Sequence, residues 1–104
     1  MLQLFGVFAN HSPESCPLNN EASRKVFVTI DDKIKSILPK FKVNRIVAFY
    51  MSVLEHEWII IFEAESAHEI ESLCIEAGIS AFSTIKIVPL NNFDVVIKRI
   101  KGQS

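Results

Sequence analysis

The chain has 104 residues, a formal net charge of −1 at pH 7, 49% hydrophobic residues and three glycines. This length fits one domain spanning residues 1–104, and the apolar content excludes a disordered chain. Lys and Arg are scattered apart from a mild cluster at Lys98, Arg99 and Lys101, which excludes the basic stripe of a nucleic-acid surface. No apolar run approaches the about 20 residues of a membrane span, so no membrane partner is expected.

Leu2 to Ala9 reads as a strand, apolar on both parities. As a leader, Met1 to Ala9 is too short and lacks a basic start. A cytoplasmic location with reduced thiols is therefore expected, since Cys16 and Cys74 are far apart and lack metal-pair spacing. Asn10-His11-Ser12 matches a glycosylation sequon and is read as chance.

His11-Ser12-Pro13-Glu14-Ser15-Cys16-Pro17 follows. It gathers an imidazole, a carboxylate and a thiol within six residues, between stiffening prolines. Asn19 or Asn20 then caps a helix that runs to about Leu38 and is stopped by Pro39. Phe27, Ile30, Ile34 and Ile37 recur at spacings of three and four, which marks the buried face.

Val43 to Val53 is the second strand and His56 to Glu63 the third, joined by a hairpin at Leu54-Glu55. Trp58-Ile59-Ile60-Ile61-Phe62 shows no polar alternation, as expected of a strand covered on both faces. Ser66 and Glu69 have the spacing of a capping box. Ile70, Leu73, Cys74 and Ala77 form the apolar stripe of a second helix, and Gly78 sits at its end. Ala81 to Leu90 is the fourth strand, with Pro89 marking an edge or a strand end. A short helix from about Asn92 to Lys101 closes the pattern.

The order is βαββαβ plus a terminal helix, the α+β, ferredoxin-like arrangement. Two helices cover one face of such a sheet, and the last helix, being short, is expected to cover only part of the other. In element order and two-sided strand apolarity, the chain resembles the dimeric α+β barrel superfamily, in which two protomers pack sheet to sheet. The resemblance implies a homodimer. It raises acid/base isomerisation, cofactor-independent oxygenation and noncatalytic ligand sensing as functions, and carries over no catalytic residue.

In this topology the loop after the first strand and the hairpin after the second share one rim. His11, Glu14, Cys16, Glu55 and His56 are expected to converge there, with Tyr50 and Trp58 as pocket wall. His11, Glu14, Cys16 and His56 are the candidate catalytic groups for a small-molecule ligand. No cofactor is required. If a metal binds, His11, Cys16 and His56 are the candidate ligands, and imidazole with thiolate suits zinc or copper. Cys74 is expected in the core, and His68 at the opposite rim.

Overall fold

The computed structural model describes residues 2–81 and 83–102. It is an α+β fold: a four-stranded antiparallel sheet with three α-helices among the described residues. The strands are β1 (Gln3–Asn10), β2 (Val43–Ser52), β3 (Glu57–Ala64) and β4 (Thr84–Leu90), in the order β2-β3-β1-β4. The helices are α1 (Glu21–Ile37), α2 (Ala67–Ala77) and α3 (Phe93–Ile100). No helix among the described residues is long and apolar enough to cross a membrane.

Helix α1 starts where its cap is strongest. The Asn20 side chain accepts a hydrogen bond from the Ser23 backbone N–H at 3.0 Å, and Glu21 lies in the positive first turn. Ile30 and Ile34 are buried, and Val26, Phe27 and Ile37 pack around them. The expected capping box of α2 does not close: Ser66 makes no side-chain capping bond, and a Glu69 carboxylate oxygen is buried with no hydrogen-bond partner among the described residues. The far end of α2 is orthodox. Gly78 takes φ +90°, and its N–H caps the Cys74 and Ile75 carbonyls.

The sheet alternates. On β3, Trp58, Ile60, Phe62 and Ala64 are buried beneath α1 and α2, while Ile59 and Ile61 face the other way and are half-buried. Phe5, Val7 and Ala9 of β1 pair with that buried set. The face away from the helices carries Leu4, Phe8, Ile59 and Ile61, all half-buried, and Phe8 and Leu90 lean to within 3.2 Å of where a Gly6 Cβ would stand. Thus one chain fully covers only the helix side of β3. Helix α3 has no buried residue and leaves Phe93, Val95 and Ile100 exposed. Pro89 lies on edge strand β4, where no second neighbour needs its missing N–H. The other edge, β2, is bulged near Asn44 and Val47, and Asn44 and Arg45 both hold the Glu63 carboxylate.

Two substitutions test this packing. Ile34→Ala empties a fully buried position and should cost about 2–5 kcal/mol in urea unfolding. Gly78→Ala should cost about 1–3 kcal/mol, because a Cβ strains the left-handed backbone although it meets no neighbour within 4 Å.

Candidate functional site

At one end of the sheet the β1–β3 ladder runs one step past its last pair. Asn10 faces Glu57, and beyond them the His11 N–H donates to the His56 carbonyl at 3.0 Å. This bond ties the loop after β1 to the hairpin between β2 and β3. The Asn10 side-chain amide adds a weaker bond to the Glu55 carbonyl at 3.4 Å.

The hairpin residues Val53 to Glu55 lead into His56 at φ 53°. The His56 N–H closes the turn on the Val53 carbonyl at 3.3 Å. A histidine in the left-handed region is uncommon and strained, whereas glycine would be comfortable there. The imidazole is thus held at a position that backbone preference alone would give to another residue.

The loop after β1 is fastened from the opposite side. Pro13–Ser15 forms a 3₁₀ turn, with Ser15 N–H to Ser12 C=O at 3.0 Å and Cys16 N–H to Pro13 C=O at 3.2 Å. The Cys16 carbonyl accepts from Asn19 and Asn20 at 2.9 and 2.8 Å. The Asn20 amide donates to the Glu14 carbonyl at 3.0 Å, and Arg24 Nε donates to the Pro17 carbonyl at 3.0 Å. The first turn of α1 therefore holds the loop that carries Cys16.

These constraints bring His11, Cys16 and His56 together. One donor atom from each lies within 4.8 Å of the others, and His11 and Cys16 are each 4% exposed. The two imidazoles meet edge to face at 5.4 Å, and Phe27 packs on the other side of His11 at 5.6 Å. His56 Nδ1 is buried and has no hydrogen-bond partner among the described residues. Burial, and secondarily the neighbouring His56, pushes the His11 pKa below its ordinary 6.5. Neutral imidazole is the form that can accept a cation or a proton.

A pocket of about 130 Å³ opens beside this group, lined by His11, Cys16, Pro17, Leu18, Met51 and Val53. A second pocket, about 350 Å³, lies against Phe27, Phe49, Tyr50 and Trp58 and shares Met51 with the first. Tyr50 and Trp58 thus wall the second pocket, and Met51 stands between the two. Sequence reasoning did not single out Met51. Its signal was strand parity: it faces Trp58 across β2 and β3, so it shares the helix-covered side.

The remaining expected residues lie elsewhere. Glu14 is exposed, and its own backbone N–H and the Ser12 hydroxyl hold its carboxyl below 4.5. Glu55 is exposed at the hairpin tip. Cys74 is fully buried in the core, where burial and then the Glu71 charge push its thiol up to about 12. His68 opens α2 at the sheet end where Gln3 pairs with Ala64, opposite the His11 rim.

The His11 shift sets a sign. Its folded pKa is below the unfolded 6.5, so the unfolded chain binds the extra proton and stability rises with pH across that interval. The contribution is complete above pH 6.5 and is lost as pH falls through the folded pKa. Urea midpoints of the chelator-treated chain should fall as pH drops below 6.5, and His11→Phe should flatten that slope. The lowered carboxyls of Glu14 and Glu63 act only in a lower window, below their ordinary 4.5.

No protein-family model and no curated protein matches the sequence. Among solved structures, the chain is similar to Rv0793 from Mycobacterium tuberculosis. The likeness covers 90% of this chain and 97% of that one, with a TM-score of 0.54 and 13% identity. At that identity the likeness shows the α+β fold alone.

Proposed function

We propose that this chain binds a transition-metal ion, zinc or copper, through His11, Cys16 and His56. The observation that carries the reading is the convergence of two imidazoles and a thiol from two separate segments, the loop after β1 and the β2–β3 hairpin, within 4.8 Å and with His11 and Cys16 buried. A tetrahedral ion with bonds of about 2.0–2.3 Å needs donors about 3.3–3.7 Å apart, so a small side-chain rotation closes the set. Binding puts the metal in place of the Cys16 S–H proton, which leaves to solvent. Three protein ligands leave a fourth position for another donor.

This reading is favoured over isomerase or oxygenase chemistry centred on His11 and Cys16. The pocket there holds about 130 Å³, whereas sites for organic ligands run about 300–1,000 Å³. A small organic molecule fits better in the neighbouring pocket of about 350 Å³ beside Tyr50 and Trp58. A noncatalytic ligand-sensing role is compatible with the same arrangement.

The assembly belongs to the same proposal. The element order and the strand order β2-β3-β1-β4 support a ferredoxin-like protomer. The sheet face carrying Leu4, Phe8, Ile59 and Ile61, with Tyr50 66% exposed beside them, has an apolar centre that one chain only half-covers. A second copy packed sheet to sheet, as in a dimeric α+β barrel, would bury it.

Two measurements decide these points. Equilibrium dialysis against zinc and against copper(I) should give one ion per chain. Cys16→Ala and His56→Gly should each weaken binding by more than about 100-fold, beyond what loss of a supporting residue costs. Glu14→Gln should leave it unchanged. Glycine suits the His56 backbone, so that variant folds, and a wild-type chain with no stoichiometric ion would sink the reading. Sedimentation at micromolar concentration should give the mass of two chains, and Tyr50→Glu should shift it toward one; a wild-type mass of one chain contradicts the pairing.

A further inference from the structure

We infer that the Met51 thioether is the fourth donor of the proposed metal site, and that it selects copper(I) over zinc. The inference rests on the three-ligand reading above and deepens it. Three neighbouring strands bring their ends to the same corner of the helix-covered face. Met51 on β2 faces Trp58 on β3, and Trp58 faces Ala9 on β1. One alternation further along, β1 runs into His11, while β3 begins immediately after His56. Met51 is therefore on the side of the sheet toward which both imidazoles converge, and it lines the same pocket as His11 and Cys16.

The chemistry of that pocket points to a soft ion. Its other walls are Pro17, Leu18 and Val53, which supply no oxygen side-chain donor. With Met51 the set is two nitrogens and two sulfurs. Thioether and thiolate favour copper(I), while zinc gains little from a thioether. Met51 is 47% exposed, at the mouth of the pocket rather than in the core. A methionine has the free torsions to swing onto an incoming ion from there. Val53, two residues on, closes the pocket's rim and begins the turn that carries His56.

The competing reading is that Met51 only packs against Trp58, since sulfur favours aromatic rings. Met51→Leu keeps the bulk and removes the donor, so it separates the two. Wild-type chain and Met51→Leu are loaded with copper(I) or with zinc, and each affinity is measured by competition with a chelator. Copper X-ray absorption is recorded on both. The expected result is a loss of about 10-fold or more for copper(I), zinc unchanged within about 2-fold, and one fewer sulfur neighbour at copper in the variant. Equal affinities for wild type and variant, or equal losses for both ions, overturn the role of Met51 and leave the three-ligand site standing. A wild-type chain that binds neither ion overturns the three-ligand site, and this inference with it.

Discussion

A single backbone hydrogen bond, His11 N–H to His56 C=O at 3.0 Å, decides what the rim of this fold can do. It extends the β1–β3 ladder past its last regular pair and leaves no slack between loop and hairpin. Because β-pairing fixes which residues share a face, placing these two backbones fixes both imidazoles. The Cys16 loop is then closed from the third side by the first turn of α1, through Asn20 and Arg24. The loop and first helical turn thus meet a hairpin distant from them in sequence, without any of them being buried as an element.

The same economy appears in the strain at His56. A left-handed non-glycine residue is costly, and folds keep one only where the surroundings over-determine it. Here the ladder bond, the turn bond to Val53 and the His11 ring all act on His56. The two cysteines show the opposite uses of burial. Cys74 sits among Ile70, Leu73 and Ala77 with its thiol pushed up to about 12, which makes it inert filler. Cys16 is as little exposed as His11, yet it is on a loop where both its backbone N–H and its carbonyl are hydrogen-bonded, beside two imidazoles. Similar exposure places one thiol in the apolar core and the other beside two imidazoles.

Much of this was legible in the chain. The spacing of Phe27, Ile30, Ile34 and Ile37 gave the buried face of α1, and the element order placed His11 and Cys16 on the rim of the hairpin. The rest depended on facts that a single sequence does not encode. Ser66 and Glu69 have capping-box spacing, but spacing does not say whether the carboxylate turns back to the helix start, and here it does not. Glu14 looked like a partner of His11 and Cys16 because all three fall within six residues of one loop. The 3₁₀ turn between them sends one outward and the other inward. Ile59 and Ile61 read as buried because they are apolar, yet one chain only half-covers them. Apolarity reports what a surface needs, not which molecule supplies it.

An ion at this corner would also change the energetics of the fold. The loop after β1, the hairpin and α1 are joined by hydrogen bonds that are individually modest, of order 1 kcal/mol each. An ion held by His11, Cys16 and His56 would add a cross-link between the loop and the hairpin. Because the unfolded chain does not assemble that set, its binding energy would appear as stability, about 2.7 kcal/mol at an ion concentration 100 times the Kd. It would oppose the strain of His56 and keep His11 neutral against acid. A bound ion would therefore tie folding stability to the rim, while the Ile60–Phe62–Leu73 core beneath the helices rests on apolar burial.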